Sequence, residues 1–135
     1  RSAESLTALS DIPAALADLD EAEDLFGRNG ATLGLARVHH IRGLALGKAG
    51  RLTEAIGQLD SALHLLADNR WSDDRISILE RLAELHDRQN EPVRARELRV
   101  RALEECSRYD VPAIRKIATE LTTKIGDDKT SPDTD

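Results

Sequence analysis

The 135-residue chain has no methionine, one cysteine, one tryptophan, one tyrosine and one phenylalanine. A single thiol, Cys106, closes no intrachain disulfide, so a secreted, disulfide-stapled scaffold is excluded and a reducing cytoplasmic setting is expected. No apolar run approaches the roughly 20 residues that span a bilayer, and no signal-peptide core is visible, so neither a membrane span nor export is expected. Cations are outnumbered, 19 Lys and Arg against 25 Asp and Glu, giving a net charge of -6 that repels a phosphate backbone and disfavours direct nucleic-acid binding. With no methionine, residue 1 is not expected to be a translation start, and the chain is expected to begin inside a longer protein.

What the chain has is 33% charged and 40% apolar residues, the latter mostly Ala, Leu, Val and Ile, which suits a folded helical domain with close helix–helix approach. It also repeats. SDIPAALADLDEAE at 10–23, GRLTEAIGQLDSAL at 50–63 and NEPVRARELRVRAL at 90–103 align at a spacing of forty. Ala15, Ala55 and Ala95 share one column and Ala22, Ala62 and Ala102 another, while Leu19 and Leu59 share a third that Arg99 breaks. Self-similarity at such a period marks stacked units that cannot bury their apolar faces alone. Residues 1–10 align with 41–50, the second half of a helix, which again points to a chain that continues upstream.

Punctuation along the chain predicts helices over about 12–26, 31–48, 52–67, 72–88, 92–108 and 112–125. Asp11 with Pro13, Pro92, and Asp110 with Pro112 are start signals; Gly27, Asn29, Gly30 and Gly50 are stop signals. Ser72 is an N-cap, followed by Asp73 and Asp74 at the positive end of the helix dipole. The second helix is expected to pack along a broad apolar stripe of Leu33, Ala36, Ile41, Leu44 and Ala45. Residues 126–135, GDDKTSPDTD, carry no apolar side chain and are expected to form a disordered acidic tail.

Gly43, Gly50, Ala55, Leu59 and Ala62, with Leu46 beside them, form a lattice that resembles the tetratricopeptide repeat, and Ala83, Asn90, Ala95, Arg99 and Ala102 with His86 repeat it. The partial first copy is Ala3, Ser10, Ala15, Leu19 and Ala22 with Leu6. The period of 40 exceeds the family's usual figure of about 34, His39 and Leu79 stand at the usual tryptophan position, and Ala67 and Ser107 at the closing proline. Long helices of this kind look like the arrays of large bacterial, including actinobacterial, transcriptional regulators and signalling ATPases. The resemblance implies an all-α, right-handed superhelix of antiparallel helix pairs, an α-α solenoid, over residues 1–125: a partial repeat at 1–27, repeats at 31–68 and 72–108, and a capping helix at 111–125.

It also implies a function without catalysis: a protein–protein interaction module that scaffolds or regulates neighbouring domains of a larger bacterial regulator. The alternatives are a ligand- or peptide-sensing domain of a transcriptional regulator and a helical appendage of a multidomain enzyme. The partner is then a protein, a peptide, another domain of the parent chain or a second copy. In the family's stack the first helix of each pair lines a concave groove, which would place Arg37, His40, Leu44 and Lys48 beside Ser77, Glu80, Glu84, Asp87 and Arg88. His40 and Leu44 stand where the family's peptide-carboxylate clamp has other residues, so a chaperone-tail adaptor is not expected. Trp71 is either a staple on the preceding turn or a binding anchor.

No chemistry is expected elsewhere. His39 and His40 are adjacent and diverge by about 100° on a helix, and GRNGATLG at 27–34 matches no phosphate-loop spacing, so no metal, cofactor or catalytic residue is assigned. His39 and His86 are read as packing residues and Cys106 as a partly buried structural thiol. Charge is unevenly spread. Asp11, Asp18, Asp20, Glu21, Glu23 and Asp24 face Arg94, Arg96, Arg99 and Arg101 from opposite ends of the sequence, as solvated faces or as surfaces for electrostatic docking between copies or with an acidic partner.

Overall fold

The computed structural model describes residues 12–67, 74–109 and 111–129, with side chains to residue 127. Those residues form six α-helices and no strand: α1 (Ile12–Arg28), α2 (Thr32–Lys48), α3 (Leu52–Leu65), α4 (Asp74–Arg88), α5 (Pro92–Cys106) and α6 (Pro112–Lys129). The protein is all-α. Residues 1–11, residues 68–73 with Trp71 and the expected cap Ser72, Asp110, and residues 130–135 lie outside the described set.

Helices start at 12, 32 and 52 and again at 92 and 112, so the forty-residue repeat is built from a step of twenty. One turn design produces the step. Gly30, Gly50 and Asn90 adopt φ of 65°, 80° and 62°, the left-handed region that glycine enters freely and asparagine tolerates. Each is flanked by the same two backbone bonds. Ala31, Arg51 and Glu91 donate to the carbonyls of Phe26, Leu46 and His86 at 2.9, 3.0 and 2.9 Å, and the left-handed residues donate to Gly27, Gly47 and Asp87 at 3.3, 3.1 and 3.0 Å. This is the Schellman pattern, which satisfies the last carbonyls of one helix and reverses the chain in three residues before the next begins.

The chain divides into two compact units, Arg1–Trp71 and Ser72–Asp135. In the first, α1 packs on α2 and α2 on α3; in the second, α4 packs on α5 and α5 on α6. The small-residue lattice lies at the helix contacts. Ala55, Leu59, Ala62, Ala83, Ala95 and Ala102 are fully buried, and a Cβ on Gly43 would stand 2.7 Å from Leu59 Cγ and 3.3 Å from the Ala55 carbonyl oxygen. Backbone approach of that order requires glycine. Forty positions on, Ala83 holds the equivalent place in the second unit. In the partial copy Ala15 is exposed, and Leu19 and Ala22 are half-buried.

Two expectations are corrected. The buried face of α2 is Ala36, Val38 and Leu46, with Arg42, Gly43 and Gly47 among them, whereas Leu33 and Ile41 are 59% and 46% exposed. Apolar residues are spread over every side of α2, so its hydrophobic pattern does not define a side; the small residues do. The second concerns the expected tail at 126–135: helix α6 continues through Gly126 to Lys129. One interior glycine costs only about 1 kcal/mol, and no proline stands before Pro132 to stop the ladder.

Candidate functional site

α2 turns one face to solvent, and that face carries the first half of the expected groove. Leu33, Arg37, Ile41, Leu44 and Lys48 recur at helical spacing along a single stripe, with half-buried His40 at its edge. Leu44 is half-buried, and Arg37 and Lys48 are exposed. The result is an aliphatic line with cationic side chains interleaved, on a rigid element. Its opposite face is fixed to α3 by His39, half-buried, whose Nδ1 lies 2.8 Å from Gln58 Oε1.

On α4 the residues expected to complete the groove have mixed roles. Ser77, Glu84 and Arg88 are exposed, and Glu84 accepts from Arg81 Nη1 at 3.1 Å. Glu80 is half-buried, and its carboxyl is pushed above the usual carboxylate range by desolvation; Lys124 opposes this, while Glu84 and Glu120 reinforce it. Asp87 is turned to the adjacent helix, where it accepts from buried Arg99 of α5. It is thus a strut between α4 and α5. Trp71 lies outside the described residues.

The side chains that sequence reasoning missed are buried and charged. Arg42 is the only such residue of α2, its side chain 10% exposed. Its Nη1 donates to Gln58 Oε1 of α3 at 2.9 Å and its Nη2 to Asp20 Oδ1 and Glu23 Oε1 of α1 at 2.9 and 2.7 Å, joining all three helices of the unit. In the second unit Arg75 of α4 donates through Nε and Nη2 to Glu105 Oε1 of α5 at 3.1 and 2.9 Å, and Arg108 Nη1 reaches Glu105 Oε2 at 3.3 Å. The forty-residue register was the available signal: Arg42 corresponds to Leu82, Arg75 to Leu35 and Glu105 to Leu65. In these three places a charge stands where the other repeat has leucine, and each is paired in a poorly solvated setting.

Among the described residues no three His, Cys, Asp or Glu side chains converge as metal ligands, and no helix is long and apolar enough to cross a membrane. The Cys106 thiol is buried, and burial pushes its pKa above the ordinary thiol range, with the charges of Glu80 and Glu105 adding to the shift. That is the opposite of an activated nucleophile. His86, half-buried, places Nδ1 3.1 Å from Glu91 Oε1 across its turn. A shallow depression on α1 is lined by Asp20, Glu23, Asp24, Gly27 and Arg28; Asp20 and Glu23 are held there by Arg42 and Asp24 by Arg28.

The chain was compared with family models, with curated proteins and with solved structures, and nothing matches it in any of the three. Its function is therefore read from the residues and the geometry above.

Proposed function

We propose that the chain is a non-catalytic, tetratricopeptide-like array whose work is to bind protein, as a scaffold or regulatory module within a larger bacterial regulator. The forty-residue lattice, the repeated Schellman turns and the glycine and alanine contacts support the repeat reading. The observation that carries the function is the exposed stripe of Leu33, Arg37, Ile41, Leu44 and Lys48 on α2. Exposed aliphatic side chains with cationic ones interleaved, on a rigid helix, suit a protein surface. They supply no nucleophile, base or oxyanion donor. The partner is another domain of the parent protein or a separate protein.

A photo-crosslinking amino acid placed at Ile41, with an identical placement at exposed Asp60 of α3 as control, tests this in the cells that make the protein. Discrete crosslinked peptides from position 41 that are weak or missing from position 60 are the expected result. Equal, diffuse labelling from both positions would remove the stripe as an interface.

A further inference from the structure

α1 is attached to its unit unlike its neighbours. It buries no residue, whereas α2, α3, α4 and α5 each bury between four and six. Leu19, Ala22 and Phe26 are half-buried, and Leu25 is exposed. Its specific contacts fall on successive turns: Asp20 and Glu23 on Arg42 Nη2, and Phe26 over Gly34, so close that a Cβ there would lie 2.7 Å from the ring. Both carboxylates remain wet, 71% and 42% exposed, so salt screens what holds them.

The receiving side is built into the α2–α3 hairpin. Gln58 of α3 orients the guanidinium through Nη1 and leaves Nη2 for a carboxylate. Gly34 leaves room for a ring. The second unit has buried Leu82 in the column of Arg42, so the helical packing alone does not demand a charge in that column. An oriented guanidinium is a carboxylate receptor.

We propose that the surface around Arg42 and Gly34 is a binding site for an acidic amphipathic helix, that α1 fills it in cis, and that a partner helix with two carboxylates three residues apart and an aromatic residue three further on displaces α1. The cis occupant lowers the apparent affinity by the fraction of time the site is closed. This site borders the α2 stripe at Gly34 and is defined by none of the stripe residues.

The test uses the full chain and a fluorescent peptide of residues 12–28, read by anisotropy. Asp20→Asn with Glu23→Gln in the protein loosens the cis helix by changing two exposed carboxylates, and the peptide should then bind at least about tenfold tighter than to the unaltered chain. A peptide carrying those same two changes should lose about tenfold or more, an arm that leaves the protein untouched. Adding Arg42→Leu, with helix content checked by circular dichroism, should abolish binding. Equal affinity for both peptides, or no binding to the loosened chain, would overturn the proposal.

Discussion

At the scale of single residues the fold is governed by where side chains are missing. Gly43 and Gly57 are both interior helical glycines of the first unit, yet a methyl at Gly43 would meet buried Leu59 at 2.7 Å while one at Gly57 meets nothing within 4 Å. Leu59 is fully buried and has no room to swing aside. Gly43→Ala should therefore cost about 1–3 kcal/mol through overpacking, and Gly57→Ala should gain about 0.5–1 kcal/mol through helix propensity. Urea unfolding midpoints decide it, and two shifts of the same sign would contradict the close approach. This contrast was legible in the sequence, because the column of Gly43 is small in every copy, Ala3 and Ala83, whereas that of Gly57 admits Glu97. The turns were legible for a similar reason, since Gly50 and Asn90 share the one requirement that few residue types meet, a positive φ. Charge in the core was only hinted at, by Arg42 and Arg99 standing where another repeat has leucine; that both are buried depends on neighbours the sequence does not name.

At the scale of helices, boundaries were readable and faces were not. Proline at the start of α5 and α6 and the left-handed turns fix ends locally. Which side of α2 is buried depends on what packs there, and Leu33 and Ile41 are as apolar as the residues inside. The pair that joins α4 to α5 makes the same point. Arg75 and Glu105, their side chains 13% and 10% exposed, replace the Leu35 and Leu65 of the preceding repeat. Taking both charges out of water offsets much of their attraction, so removing both at once differs from removing one. Arg75→Leu with Glu105→Leu should leave stability within about 1 kcal/mol of the unaltered protein or raise it. Glu105→Leu alone, which strips the carboxylate from a guanidinium held in a poorly solvated place, should cost about 2 kcal/mol or more. Denaturant unfolding of the four-member cycle measures the coupling, and additive single effects would show that the pair is a surface contact.

At the scale of the whole molecule, the acidic stretch at 11–24 and the arginines at 94–101 read either as solvated faces or as surfaces for electrostatic docking, and charge placement bears on that choice. Asp20 and Glu23 are held by Arg42, Asp24 by Arg28, Arg94 by Glu97, and Arg99 by Asp87. These five groups are engaged inside their own units, while Asp18, Glu21 and Arg101 stay exposed. What the sequence conveyed was the uneven distribution of charge; it could not convey that partners lie on the same helix or the next one. Over the whole sequence the net charge is -6, which repels copies at low ionic strength and is screened as salt rises. Light scattering of the full chain should accordingly give a mass that does not fall between low and high salt. If copies do associate, the association should strengthen with salt, because the α2 stripe of Leu33, Ile41 and Leu44 gains as repulsion is screened, and Leu33→Asp with Ile41→Asp should abolish it. A dimer at low salt that separates into monomers at high salt would reverse the argument, since only unlike charges brought together between copies weaken in that direction.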